Sequence, residues 1–225
     1  MYRSASLVWE DHVLSFDEAV KENGHSFDIF MDGGCGREKF LERYSNQFRF
    51  CIGIDTDLRE CNKSHNNIQY IKGDLEGIPL KDASVDVILT NFVLEHIRRP
   101  KRFFMEASRV MKKEGILIIW TPNAKSPAGL MIHLLPISFI KNFKKNFIGH
   151  ESYPTYYLSN SPLKLDAMLK ESGLQKAKLE MKDGVFYFSE FKVVRLLHSV
   201  LIKLTDCDGF GQFKDLIFAV YLKAR

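Results

Sequence analysis

Two kinds of apolar run organise this chain. Between residues 27 and 123 lie five short stretches that are apolar almost throughout: "FDIFMD" (27–32), "FRFCIGID" (48–55), "NIQYIKGD" (67–74), "SVDVILTNF" (84–92) and "GILIIWTPN" (115–123). Such stretches read as strands buried on both faces. Helix-like segments separate them, expected over 37–45, 57–64 and 100–112, with Pro100 suited to a first helical turn. The alternation predicts a doubly wound α/β sheet whose strands run mostly parallel.

Beyond 123 the pattern loosens. Residues 124–159 form a long connection holding the apolar run "AGLMIHLLPISFI" (128–140) and the segment "GHESYPTYY" (149–157). That run falls short of the ~20 residues a membrane-spanning helix needs. A helix is well signalled over 161–173, with Ser161 at the N-cap, Pro162 in the first turn and Gly173 as the stop. Strands are expected over 174–182 and 214–224, and an aromatic-rich helical stretch over 185–206. At 225 residues the chain reads as one domain, 1–225. Residues 28–123 form its core, and 124–159 and 183–210 are insertions.

Composition adds little to this picture. The chain is 45% apolar and 27% charged, ordinary values for a globular protein, and its net charge of +4 selects no partner. Basic clusters at 98–102, 112–113 and 141–145 read as solvated helix ends, or as contacts to nucleic acid or an anionic membrane surface. The four cysteines (35, 51, 61, 207) have no ligand-like spacing, so no metal is expected, and a reducing cytoplasm is the expected location. Cys35 and Cys51 read as small core residues.

Ligands of open α/β sheets bind outside the carboxyl ends of the strands. Asp32 ends the first strand and leads into Gly33-Gly34-Cys35-Gly36, Asp55 ends the second, Asp74 the third, and Asn91 the fourth. Glycines at 34 and 36 permit close backbone approach near a helix N-terminus. A carboxylate at the second strand end can accept from both hydroxyls of a ribose. The acid one strand further along is placed to receive an adenine amine. A dinucleotide site shares the first half of this pattern. Two details oppose it: Asp32 would face a pyrophosphate, and Glu38 stands where a third glycine is often found. A cationic adenosyl ligand, drawn to Asp32, fits better.

At these motifs ("FMDGGCG", "GIDTD", "GDLEGIPLKDASVDVILTNFVLEHI" and "SRVMKKEGILIIWTPN") the chain resembles the class I S-adenosylmethionine-dependent methyltransferases, specifically small-molecule types with an "LEH" fourth motif. The resemblance covers residues 28–123. It implies a seven-stranded sheet with an antiparallel last strand, and S-adenosylmethionine as cofactor. By the same resemblance Asp32, Gly33, Gly34 and Gly36 form the cofactor turn, and Asp55 with Thr56 holds the ribose. Asp74 and Leu75 then bind the adenine, with Asn91 and Phe92 beside the methionine moiety. Glu38 departs from the family's pattern and is expected to face outward.

The resemblance further implies that both insertions emerge on the cofactor side, as lids over the acceptor. The N-terminal "YRSASLVWEDH" is a third candidate flap. A hydroxyl acceptor needs a general base, for which His96 and His150 are the candidates. Tyr153, Tyr156 and Tyr157 are candidates for the acceptor pocket. The apolar, aromatic character of the insertions fits helices packing back on the core, a lipid-linked acceptor, a membrane-surface contact or a homodimer interface. Residues 149–174 also resemble bacterial methyltransferases found with surface-polysaccharide synthesis, which makes a glycan hydroxyl the leading acceptor. A catalytically silent binding protein on the same fold is the alternative, kept open by Glu38.

Overall fold

The computed structural model describes residues 5–23, 26–36, 40–59, 61, 66–127, 129–130, 153–183, 200, 203, 205 and 210–224, with side chains from residue 10 onward. Seven strands make one sheet: β1 (Ile29–Gly33), β2 (Phe50–Asp55), β3 (Ile68–Lys72), β4 (Val85–Asn91), β5 (Met111–Pro122), β6 (Leu174–Lys182) and β7 (Leu216–Lys223). Their spatial order is β3-β2-β1-β4-β5-β7-β6. The first five are parallel, while β7 runs antiparallel to both its neighbours, β5 and β6. This is the doubly wound, mostly parallel sheet with an antiparallel last strand that the sequence predicts.

Side chains alternate between two apolar layers, as the period of a strand demands. Met31, Ile88, Leu117, Ile119, Ile217 and Ala219 pack on one face against α3 (Pro100–Val110) and α4 (Pro162–Glu171), through Phe103, Phe104, Ala107, Leu165 and Leu169. Phe30, Val87, Leu89, Ile118, Trp120 and Phe218 pack on the other against α1 (Ala5–Glu22) and α2 (Phe40–Tyr44), through Val13, Phe16, Phe40 and Tyr44. Each fully buried aromatic contributes about 1.5–3 kcal/mol from burial alone.

Three local expectations change. The segment 57–64 was expected to be helical, but its described residues Asp57–Arg59 and Cys61 are not. The Asp57 side chain accepts the Arg59 backbone N–H at 3.1 Å and its guanidinium at 2.8–2.9 Å, while the Asp57 N–H donates to Asp55 Oδ1 at 2.9 Å. These local bonds give the backbone an alternative to a helical turn. The expected helix 100–112 ends at Val110, and β5 begins at Met111 because Val85 pairs with Met111 ahead of a register shift. Helix α1 lies where a flap is expected, and its Val13, Phe16 and Ala19 are buried on the sheet.

Terminators behave as their chemistry dictates. Pro100 and Pro162 open α3 and α4. Gly173 takes φ +77° just past α4. Ser161 occupies the N-cap of α4, yet its side chain makes no capping bond. Of the expected helical stretch 185–206 residues 200, 203 and 205 are described, all in helix, and the rest of it, with most of the connection 124–159, lies outside the described residues. The strand order reverses between β1 and its neighbours β2 and β4, which opens a crevice at the carboxyl ends.

Candidate functional site

The crevice is a cavity of about 440 Å³, a volume within the range of small-molecule sites. Its floor starts at the glycine turn. Gly34 sits at φ +79°, where a Cβ would lie 2.3 Å from Val93 Cγ2. No side chain fits there, and the positive φ alone would strain one. The Gly34 N–H donates to Ile54 O at 2.7 Å, which folds the turn onto the end of β2.

Asp55 is oriented on both oxygens by the backbone. Oδ2 accepts the Gly36 N–H at 2.9 Å and Oδ1 accepts the Asp57 N–H at 2.9 Å. A carboxylate offers about four lone-pair directions. Oδ2 keeps one, and on Oδ1 the second is met only by the long contact from the Thr56 hydroxyl, which a ribose hydroxyl can replace. Thr56 stands beside it, its hydroxyl 3.4 Å from Asp55 Oδ1. Asp57 is exposed, and the Arg59 guanidinium holds its carboxyl down at about 2.

The next wall comes from the end of β3. Asp74 is exposed and caps the 3-10 turn Leu75–Gly77, its Oδ1 accepting the Glu76 N–H at 2.8 Å. Leu75 is buried against Gly33. Glu76, 7% exposed, accepts the backbone N–H groups of Arg98 and Arg99 at 3.1 and 2.9 Å, and Arg99 Nε at 2.6 Å. Burial opposes its charge, but the Arg99 bonds prevail and hold the carboxyl below its usual range. Glu106, with Arg109 beside it, clamps the same segment from α3, accepting the Ile78 N–H at 2.9 Å.

Asn91 and Phe92 close the β4 end. Phe92 adopts φ +54°, with its N–H on Trp120 O at 2.9 Å. Asn91 Oδ1 is buried with the His12 imidazole as its polar neighbour, and it keeps capacity to take a donor from a ligand. Next come His96 and a roof segment. His96 Nδ1 lies 2.8 Å from Pro154 O. A carbonyl only accepts, so Nδ1 carries the hydrogen and Nε2 is the ring's acceptor. The Tyr156 N–H donates to Glu95 O at 2.6 Å, and the Arg98 guanidinium lies over the Tyr156 ring at 5.5 Å.

Of the residues expected from sequence, Gly34, Gly36, Asp55, Thr56, Asp74, Leu75, Asn91, Phe92, His96, Tyr153 and Tyr156 share this cavity wall. Asp32, 1% exposed, and Gly33 end β1 outside the wall, and Tyr157 is not part of it. His150 and Glu38 lie outside the described residues. Sequence reasoning missed Glu76 and Arg98, whose connection spans 22 positions and leaves no local signal. It also missed His12, which is 2% exposed, stacks on Trp120 at 3.9 Å and faces Phe92 at 5.5 Å. Burial lowers His12 to about 4, so the imidazole is neutral. Cys35 and Cys51 are buried, and burial pushes both thiols up, as suits core residues.

An adenosyl ligand fits these residues: a carboxylate oriented by turn amides, a glycine cradle no Cβ could share, and a buried amide acceptor at the far end. Among the described residues no group of three or more His, Cys, Asp or Glu side chains could hold a metal ion. No described helix is long and apolar enough to cross a membrane.

Comparison with known proteins points the same way. Residues 31–119 match the family model described as a methyltransferase domain. A probable S-adenosylmethionine-dependent methyltransferase of Mycolicibacterium smegmatis is 33% identical over 98 residues, which cover 41% of this chain and 37% of that protein. A malonyl-[acyl-carrier protein] O-methyltransferase of Hahella chejuensis is 32% identical over 110 residues, covering 46% and 39%. The matches thus span well under half of either relative. The crystal structure of a SAM dependent methyltransferase from Aquifex aeolicus superposes with a TM-score of 0.57 at 16% identity, covering 92% of this chain and 89% of that one. The fold is that of the class I S-adenosylmethionine-dependent methyltransferases.

Proposed function

We propose that this chain is an S-adenosylmethionine-dependent methyltransferase acting on a hydroxyl oxygen of a small molecule or glycan. The observation that carries the proposal is Asp55 at the end of β2, oriented on both oxygens by turn amides, with Oδ2 left a direction and Oδ1 otherwise met only by the long Thr56 contact. Asp55 grips the ribose diol, Asp74 and Leu75 the adenine, and Asn91 Oδ1 accepts from the ammonium of the methionine moiety. When bound, S-adenosylmethionine supplies a methyl group already activated on a sulfonium, ready for in-line displacement. The chain's tasks are positioning, exclusion of water and removal of one proton.

His96 is the described candidate for that proton. Its Nδ1–H is committed to Pro154 O, so Nε2 would take the hydroxyl hydrogen of the acceptor. The O-methyltransferase among the relatives supports oxygen as the acceptor atom. The buried thiols of Cys35 and Cys51, packed as core residues, fit a reducing cytoplasm as the location.

Calorimetry with S-adenosylmethionine tests the reading: micromolar-range affinity is expected, and Asp55→Ala weakens it at least about tenfold, the scale for a lost bidentate charge-assisted contact. No heat from the intact protein would favour a silent binding protein on this fold. Labelled methyl transfer to metabolite and glycan extracts then identifies the acceptor.

A further inference from the structure

Tyr153 and Tyr156 reach the cavity from a segment about 60 positions beyond β4, and share its wall with Asp55, Asp74 and Leu75. Two bonds pin this segment to the residues after β4: the Tyr156 N–H on Glu95 O at 2.6 Å, and His96 Nδ1–H on Pro154 O at 2.8 Å. The first engages only backbone, and the second holds His96 by Nδ1 and leaves Nε2 to face the acceptor. Tyr156 lies under the Arg98 guanidinium at 5.5 Å. The Arg98 backbone is in turn held by Glu76, which adjoins the adenine wall. A continuous path therefore runs from floor to roof through Glu76, Arg98 and Tyr156.

Tyr153 stands at the other end of the roof. Its ring meets His96 edge-on at 6.1 Å, and it shares the cavity wall with Asp55. Burial raises its phenol, and the charges of Asp55 and Asp57 raise it further, which places the ring in their field. It is also 54% exposed, a large aromatic surface left open above the ribose carboxylate.

We propose that Tyr153 and Tyr156 bind the cofactor, Tyr153 over the ribose and Tyr156 over the adenine, and are not ligands of the acceptor. The proposal rests on the adenosyl reading of the floor. Its consequence is that the roof must part before the spent nucleoside leaves. The acceptor approaches from the open side, past Asn91 and Phe92.

Calorimetry with S-adenosylhomocysteine and with 5′-methylthioadenosine decides it. Tyr156→Ala should weaken both ligands about tenfold, as expected when one aromatic face over a base is lost. Tyr153→Phe should weaken both about threefold through loss of one hydroxyl contact. The equal loss with 5′-methylthioadenosine, which lacks the amino-acid end, places the lost contact on the adenosine, and unchanged thermal midpoints exclude general loosening of the fold. Thermal midpoints of the ligand-free variants should stay within a degree or two of the parent. Should Tyr156→Ala fail to fold, the exposed Arg98→Ala decides, with about threefold weakening expected. Affinities within twofold of the parent, alongside a tenfold loss in Asp55→Ala, would overturn the roof and leave the floor standing. Absence of binding by the parent protein, or an unchanged Asp55→Ala, would overturn both.

Discussion

The floor and the roof of the cavity are built on different principles. The floor consists of strand ends and the turns that follow them, and its polar groups are set by the backbone: Gly34 on Ile54 O, Asp55 on two amides, Asp74 on Glu76 N–H. Its parts come from one unbroken series of βα units. The roof consists of side chains carried in by a long connection, pinned at two points to the residues after β4. A floor made of backbone is stiff and tolerates little change. A roof made of side chains can be altered with graded effects.

The largest effect should follow a change in the floor's backbone. Gly34→Val puts a branched side chain at φ +79°, with its Cβ 2.3 Å from Val93 Cγ2. Strain and overlap together should cost roughly 3 kcal/mol or more of stability. Cofactor binding should fall below detection in calorimetry, because the turn can no longer approach the ligand. Retained micromolar affinity would mean that the turn is not the cradle.

The second effect is smaller and depends on pH. His12 is held at about 4 against an ordinary 6.5. Above pH 6.5 both folded and unfolded chains carry the neutral ring, and the group contributes no pH dependence. As pH falls from 6.5 towards 4 the unfolded chain takes up the proton and the folded chain does not. Stability is therefore lost across that window, by roughly 3 kcal/mol once both forms are protonated. Chemical denaturation of the parent and of His12→Phe at pH 7 and pH 4.5 checks this. The variant should lose most of the difference between the two pH values, and an unchanged difference would place the acid sensitivity elsewhere.

How much of this was readable beforehand follows from the same contrast. The five parallel strands, the acids at their ends and the glycine turn are local features, and each appears where its run of residues says it should. Even there one local competition was misjudged, since Asp57 and Arg59 bond to each other and to the turn in place of a helix. Helix α1 carries an apolar stripe at Val13, Phe16 and Ala19 that periodicity alone would have found. The roof was legible only as a list of aromatic residues. Its placement depends on contacts such as His96 to Pro154, 58 positions apart, which no spacing rule reveals. Glu76 looked like one more turn residue in "GDLEG", because the partners that make it a buried anchor lie on another element.

Glu76 ties the two regions together, and its replacement should rank third. Glu76→Gln keeps the shape but removes the charge that faces Arg99 Nε and two backbone N–H groups. Charge-assisted bonds of this kind contribute about 1.5–3 kcal/mol, and a neutral amide recovers part of that, so a loss of about 1–2 kcal/mol is expected in denaturant titration. Affinity for the adenosyl ligand should fall a few-fold, since the wall at Leu75 and the root of Arg98 both shift. A loss of stability with no change in affinity would separate the anchor from the site.

The smallest effect concerns strain, and it separates scaffold from site. Two described non-glycine residues near β4 adopt the left-handed region: Ala83 at φ +49° and Phe92 at φ +54°. Ala83 is exposed, precedes β4 and lies outside the cavity wall, with its N–H on Arg109 O at 3.0 Å. Glycine there relieves about 1–2 kcal/mol of backbone strain and costs about 0.4–1 kcal/mol through the greater freedom of the unfolded chain. Ala83→Gly should therefore gain about 0.5 kcal/mol in denaturant titration and leave cofactor affinity untouched. Phe92 bears the same conformation inside the wall, where the strained backbone also aims the ring past Asn91 towards His12 and Trp120. Relief at that position by Phe92→Gly removes the ring along with the strain, so any affinity change is expected there and not at Ala83. If Ala83→Gly weakened the ligand as much as Phe92→Gly, the strain before β4 would belong to the floor, and the division between stiff scaffold and binding surface would have to be drawn one turn earlier.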